Sequence, residues 1–539
     1  MLILGLGGLL SDAACAVLND GELRAAIEEA KLTRSPAPGA IPQAAIAECL
    51  RLADAAREQV DCVAVARPFT GGPEAQFHVT LRDQFPNSEI VVIEHHLAHA
   101  ASAFYVSPFE NATVLTLDHA GDFRCGARWR GSGNQIDLDK EWYYPDSVGR
   151  LYRAVTDLLG FRAGAEEHKV QWLSASGDER FGGLFRRILS DSARLDPTFF
   201  DGHRVASGGF SAKFYDSLGL ADGAAIPAAL APAIARGLQK TVEDTVLALA
   251  SEGKNAGEHR AADGSGNLCL AGGLFYNALL VEFLERSGRW KNVFVQPAAG
   301  NAGTALGAAY HAWHHVHRQP RRCGPAPESH HGSLLLGPSY TAEQIKQVLE
   351  NCKLRFQYLR STDELLSTAV RLLSDHKIVA WMHGRMEFGP RALGNRSILA
   401  SPLDPYSTEN LNVFIKHREP FRKFAASVPA EVASEYFEAG PNARHIATVS
   451  RLRPQFRKTF ESAILGEDRV RVHTVSEADN PLFHRLLHEA GKATGLPVLY
   501  NTSFNLFGDP LVSTPRDAVR SFYSSGIDAL FAGSFLLEK

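Results

Sequence analysis

Short apolar runs that stop at glycine or aspartate recur through the first half of the chain. Residues 2–6 end in Gly7-Gly8, and residues 15–18 close on Asn19-Asp20-Gly21. Residues 90–93 form another run. Residues 114–117 form a further one, which passes at once into Asp118-His119-Ala120-Gly121-Asp122. Residues 267–270 lead into Ala271-Gly272-Gly273. Apolar runs of this length, bounded by turn residues, predict buried strands. Between them, residues 42–56 carry apolar side chains at helical spacing. Strands alternating with helices predict an α/β architecture.

The pattern breaks at residues 315–332, HVHRQPRRCGPAPESHHG, which are rich in Pro, Gly, His and Arg and have no period. Such a stretch reads as a connection between domains. The chain is therefore divided into residues 1–332 and 333–539. A new α/β pattern follows, with a helix over 363–374 and strands at 378–382 and 498–501.

The strand ends carry the first candidate chemistry. Glycine lets backbone N–H groups come close to a phosphate, and an aspartate at a strand end can hold a metal or a water. One such turn is ordinary packing; three together favour a phosphate cleft, with Gly272 and Gly273 as its turn.

In Glu94-His95-His96-Leu97-Ala98-His99, a helix start places His95 and His99 four apart, on one face. Two imidazoles there, with Asp118 at the end of the next strand, suit one metal ion. Nitrogen and carboxylate donors without thiolate fit Fe(II), Mn(II) or Zn(II). No glutamate lies between the histidines, which excludes the metalloprotease pattern.

The second half is marked by cations. Residues 384–399, GRMEFGPRALGNRSIL, hold Arg385, Arg391 and Arg396. Residues 415–424, IKHREPFRKF, add Lys416, Arg418, Arg422 and Lys423, and RVRV adds Arg469 and Arg471. A solvated basic face would alternate with acids at helical spacing; these cations alternate with Gly, Pro and Phe. Guanidinium forks hold phosphate oxygens in pairs, so the pattern predicts a small-molecule anion site. Asn501 and Ser503, at the end of a late strand, add short hydrogen-bonding groups.

Composition narrows the classes. At 539 residues the chain needs more than one core. A net charge of -4 gives no bulk attraction to nucleic acid or an anionic membrane, so neither is expected as a partner. Seven cysteines stand singly with no CxxC pair, which argues against a disulfide framework and points to a reducing cytoplasm. The apolar start MLILGLGGLL is too short to span a membrane.

The segments HHLAHAASAF, LTLDHAGD, LAGGLFYN, GNAGTALGAA, GRMEFGPRALGNRSIL, IKHREPFR and LYNTSFN occur in order over nearly the whole chain. Together they resemble the O-carbamoyltransferases of natural-product and antibiotic biosynthesis. The resemblance implies an actin-like (ASKHA) domain, similar to the tRNA threonylcarbamoyl transferase, followed by a YrdC-like α/β domain. It implies that the second domain makes carbamoyl-adenylate from ATP, carried with Mg, and carbamoyl phosphate. The first then transfers the carbamoyl group to a small-molecule hydroxyl or amine. It implies His95, His99, Asp118 and Asn301 as ligands of a divalent metal, Fe(II) before Zn or Mn. Arg391, Lys416, Arg418, Arg422, Arg471, Asn501 and Ser503 fall where the family handles nucleotide and carbamoyl phosphate. A homodimer is also expected.

The chain departs from the family pattern near the transfer chemistry. A His-Asp pair is usual after the first strand, and here it is Ser11-Asp12. Serine does not accept a proton near neutral pH, so Asp12 becomes the candidate base. Asn301 stands where the family has an acidic ligand, and Thr33-Arg34-Ser35-Pro36-Ala37 lacks the usual lysine. These departures support an alternative: a homologue that does not transfer, but activates carbamoyl for, or supports, a partner protein.

Overall fold

The computed structural model describes residues 1–35, 40–67, 74–202, 206–251, 265–321, 333–506 and 508–539. The expected connection thus lies outside the described residues from position 322 on, as do Pro36 and Ala37. The chain forms two compact units: Met1–Gly8 with Val60–Ala326, and Leu9–Gln59 with Pro327–Lys539. Both are α/β. No helix among the described residues is long and apolar enough to cross a membrane.

In the first unit the strands Leu2–Gly7, Cys62–Ala66 and Glu89–Ile93 run parallel, side by side. The first two are apolar and buried along their length, as parallel strands covered on both faces are. A second sheet runs, in spatial order, Asn292–Val295, Asn267–Ala271, Asn111–Gly121, Arg124–Ser132 and Gln135–Tyr143. The first three are parallel, and the last two continue as an antiparallel meander. That order matches the actin-like expectation. The helices His95–Phe104 and Thr304–His311 cross at Gly307, where a Cβ would lie 1.7 Å from the Ala98 carbonyl oxygen. Only glycine permits so close an approach.

The second unit is built on a ten-stranded sheet. Its centre runs Ala529–Ala532, Val379–Met382, Arg396–Ala400, Leu499–Ser503, Ala425–Pro429 and Arg469–Val475. Side chains alternate between two buried faces: Val379, Trp381, Leu399 and Phe531 enter one core, and Ala380, Met382, Ile398 and Leu530 the other.

The contacts group the segment Leu9–Gln59, read from sequence as part of the first domain, with this second unit. It is an antiparallel hairpin, Ala14–Asn19 with Glu22–Glu28, followed by the helix Gln43–Leu52. Both Glu29 oxygens accept the first backbone N–H groups of that helix, from Ala44 at 3.2 Å and Ala45 at 2.7 Å. The buried Lys31 ammonium donates to the carbonyls of Glu387 (2.9 Å) and Gly389 (2.7 Å). It also pairs with Glu28 at 2.9 Å. Arg34 donates to the Leu511 carbonyl at 2.6 Å.

Candidate functional site

The helix His95–Phe104 starts at Glu94, whose carboxylate accepts from the N–H groups of His96 and Leu97. The same carboxylate pairs with Arg124 at 2.9 Å, which fixes the helix start against the strand Arg124–Ser132. His95 and His99 then stack one turn apart, rings edge to face with centroids 4.7 Å apart. Asp118 meets them from the strand Asn111–Gly121, where the register shifts between Leu117 and Gly121 and frees the backbone to turn.

Each Nε2 lies 3.4 Å from the same oxygen, Asp118 Oδ2. The other oxygen, Oδ1, accepts the His119 backbone N–H at 2.7 Å, which aims Oδ2 at the imidazoles. A charge-assisted hydrogen bond would be about 2.8 Å long. Two donors each about 2.1 Å from one ion stand roughly 3.0–3.4 Å apart. The spacing thus suits a metal better than a direct bond, and the three donor atoms lie within 4.8 Å of one another. Nδ1 of His99 is buried with no hydrogen-bond partner among the described residues.

Electrostatics agree with this donor set. Burial would raise the Asp118 carboxyl, but the facing His95 and His99 imidazoles outweigh it and hold the group well below its usual range. Burial pushes the His99 imidazole down, against the pull of Asp118. Both groups are therefore in their ligating forms at neutral pH. His96 turns away: Nε2 donates to the Arg124 carbonyl at 3.1 Å and Nδ1 meets Thr116 Oγ1 at 3.0 Å.

The glycine turn reaches the same carboxylate. Gly272 has φ +101°, and a Cβ on it would lie 2.1 Å from the Leu117 carbonyl oxygen. A Cβ on Gly273 would stand 3.1 Å from Asp118 Oδ1. Gly121 is still more confined, since a Cβ would fall 2.1 Å from His95 Cδ2. Asn301 opens the 3-10 turn Asn301–Gly303, with its amide oxygen buried. Glu166 and Lys169 pair at 2.9 Å. Asp12 is exposed, at a bend in the segment grouped with the second unit.

In the second unit the cations gather around the end of the π-helical turn Leu411–Lys416. Lys416 is buried, and its ammonium donates to the carbonyls of Ser503 (2.6 Å) and Asn505 (2.9 Å) and to Asn505 Oδ1 (2.7 Å). Arg418 donates to Asn412 Oδ1 at 2.7 Å and lies over the Phe424 ring, 4.4 Å from its centroid. Burial, then Arg391, Arg418 and Arg422, push the Arg471 guanidinium well below its ordinary value. Burial with Arg418 and Arg422 does the same to Lys416, and burial with Arg422 brings Arg418 down to about 9. Like charges and desolvation raise the free energy of these groups together, and a bound polyanion would relieve both.

Asn501 donates to the Ala392 carbonyl and to Ser427 Oγ, each at 3.2 Å, and its oxygen is buried without a hydrogen-bond partner among the described residues. Ser503 Oγ meets Asn505 Oδ1 at 2.8 Å.

Two of the arginines counted from sequence serve the backbone instead. Arg396 is fully buried and donates to the carbonyls of His383 (2.7 Å), Gly384, Asn395 and Pro338. Arg385 donates to the carbonyls of Gly337 and Leu336. Glu387, unnoticed in the sequence, shapes the loop that carries Arg391. One of its oxygens accepts from the N–H groups of Leu393 (2.8 Å), Asn395 (2.9 Å) and Arg396 (3.0 Å). An isolated buried acid beside an arginine cluster reads as a charge partner, and only the fold reveals this role. Asn412, which orients Arg418, was likewise missed, whereas Asn505, which accepts from Lys416, lies in the segment LYNTSFN.

Comparison with known proteins gives a consistent result. Residues 73–310 match the family model of the carbamoyltransferase N-terminus, and residues 370–539 that of the carbamoyltransferase C-terminus. The chain is 32% identical to an uncharacterized protein of Synechocystis sp., over 100% of this chain and 96% of that one. It is 31% identical to nodulation protein NolNO of Sinorhizobium fredii, over 100% of this chain and 83% of the relative. Against nodulation protein NolO of Bradyrhizobium diazoefficiens the identity is 32%, over 83% and 79%.

Proposed function

The chain belongs to the carbamoyltransferase family, and on that premise we propose that it is an ATP-dependent carbamoyltransferase acting on a small-molecule hydroxyl or amine in natural-product biosynthesis. In this reading carbamoyl phosphate loses phosphate to water, and the carbamate oxygen attacks the α-phosphorus of ATP. Pyrophosphate leaves, carbamoyl-adenylate forms, and the acceptor then displaces AMP. Activation is needed because nitrogen donation makes a carbamate carbonyl a poor electrophile.

The observation that carries the reading is the group of mutually repelling cations, Arg391, Lys416, Arg418, Arg422 and Arg471. They would hold the phosphates of ATP and carbamoyl phosphate and stabilise charge as pyrophosphate departs. Asn501 and Ser503 would orient the carbamoyl amide. In the first unit, His95, His99 and Asp118, with Asn301, would hold the divalent metal, Fe(II) in preference to Zn(II) or Mn(II). Such an ion supplies Lewis-acid polarisation of an oxygen. Asp118 offers Oδ2 there because His119 N–H occupies Oδ1. Gly272 packs against the Leu117 backbone and Gly273 beside Asp118 Oδ1, and in this reading their turn would present backbone N–H groups to a phosphate. Asp12 is the candidate proton acceptor from the acceptor group.

The test is pyrophosphate exchange into ATP with carbamoyl phosphate, with carbamoyl-adenylate followed by mass spectrometry, for wild type and Arg391→Ala. Adenylate made by wild type and lost in the variant supports the reading. Folded protein that gives neither exchange nor adenylate removes it. The exposed Ser11-Asp12 pair favours a second reading, a homologue that activates carbamoyl for, or supports, a partner protein. Adenylate that forms but reaches no acceptor hydroxyl or amine would select it.

A further inference from the structure

Three groups of described residues bring together metal-type donors: His95, His99 and Asp118; Cys62, Glu89 and His317; and Glu431, His484 and His488. The first belongs to the site above. In the second, burial pushes the Cys62 thiol up to about 12, which opposes the ligating thiolate. The third lies in the second unit and owes nothing to the anion cluster.

The helix Pro481–Thr494 carries it. Proline opens the helix, Asn480 caps it by accepting the Phe483 N–H, and Gly495 ends it in the left-handed region. Phe483, Leu486, Leu487 and Ala490 anchor one face in the core. On the neighbouring stripe, His484 and His488 are four apart, so the imidazoles project from successive turns in one direction. Their rings stand edge to face, centroids 4.6 Å apart. Glu431 approaches from the 3-10 turn Ala430–Val432, which follows the strand Ala425–Pro429. Its Oε1 accepts from His484 Nε2 at 2.8 Å and from His488 Nε2 at 2.6 Å. Both ring nitrogens thus aim at one point on a rigid platform. The basic side chains beside them are engaged elsewhere, Arg485 with Asp363 and Lys492 with Glu489.

We propose that Glu431, His484 and His488 form a second, surface site for a first-row divalent cation of the Zn(II), Co(II) or Ni(II) class. Two imidazoles and one carboxylate, with water in the open positions, are a normal donor set for such ions. Bonds of about 2.1 Å to one ion require the donors to stand roughly 3.3 Å apart. The exposed Glu431 side chain has only to retreat by roughly 0.5–0.7 Å from its present contacts at 2.8 and 2.6 Å. To ligate, each neutral imidazole carries its single proton on Nδ1 and presents the Nε2 lone pair; an imidazolium gives its extra proton to water. This site is solvent-facing and relies on a movable carboxylate, so it binds more weakly than the buried His95–His99–Asp118 group.

Full-length protein stripped of metal by chelation is titrated with Zn(II) by calorimetry and with Co(II) by visible absorption. Wild type is expected to show a tight and a weaker event. The variant His484→Gln with His488→Gln loses the weaker event and keeps the tighter one. The variant His95→Ala with His99→Ala does the reverse. Glu431→Gln weakens the surface event by about tenfold or more and leaves circular dichroism unchanged. If the His484/His488 variant titrates as wild type does, or wild type lacks the weaker event, the cluster is a hydrogen-bonded staple and the proposal fails.

Discussion

The two candidate sites differ in how their charge is balanced. In the first unit, one carboxylate faces two imidazoles, and burial keeps His99 neutral while the imidazoles keep Asp118 ionised. The cluster is nearly self-compensated, and its donors already stand at ligand spacing. In the second unit, burial and like charge act together, so Lys416, Arg418 and Arg471 are all pushed down. In that cluster Lys416 and Arg418 donate to neutral carbonyl and amide oxygens. One site holds cation-type donors at ligand spacing; the other gathers like charges whose repulsion a bound polyanion would relieve.

The sharpest way to break this contrast is to remove a donor from the compensated cluster. His99→Ala should lower metal content and slow carbamoyl transfer by about 10³-fold, on the order of 4 kcal/mol. Adenylate formation should be unchanged, since the lesion is confined to the first unit. Transfer at the wild-type rate with no bound metal would sink the assignment.

A second test uses acid. Burial lowers His473 to about 4; its Nδ1 lies 3.0 Å from Ser427 Oγ. A folded value below the unfolded one means that stability is complete above about 6.5 and is lost as pH falls toward 4. Up to about 3 kcal/mol of second-unit stability is at stake, as an order of magnitude. His473→Gln should flatten the pH dependence of denaturation between 6.5 and 4. An unchanged acid limb would show that the imidazole is not kept neutral.

The smallest expected effect concerns the uncompensated cluster directly. Inorganic phosphate or ATP at ten times its dissociation constant should stabilise wild type by about 1.4 kcal/mol, a rise of about 3–5 °C in melting temperature. Arg471→Ala should show less of that rise. Equal shifts in both proteins would place the anion elsewhere.

How much of this was legible in the sequence depended on distance along the chain. His95 and His99 could be paired because four residues make one turn, and Asp118 because it ends an apolar strand. The strand Val379–Met382 was legible as an apolar run. The strands Ala425–Pro429 and Arg469–Val475 were not, because small residues mask one and alternating arginines the other. Residue type alone did not separate Arg391 and Arg471 from Arg385 and Arg396. That sorting needs the carbonyls of residues 336–338 and 383–384, brought together only by the fold. Within the second unit Lys31 meets carbonyls more than 350 residues away, a pairing that nothing local in the sequence announces.

Gly121 has a consequence for how the family can vary. A β-carbon there would overlap the His95 ring, so the glycine is a seat cut for that imidazole. Lineages that keep the histidine are bound to keep the glycine, while lineages that discard the histidine are released from it. Any larger residue at position 121 is therefore expected only in a relative that has lost the imidazole, a history readable from a residue with no side chain of its own.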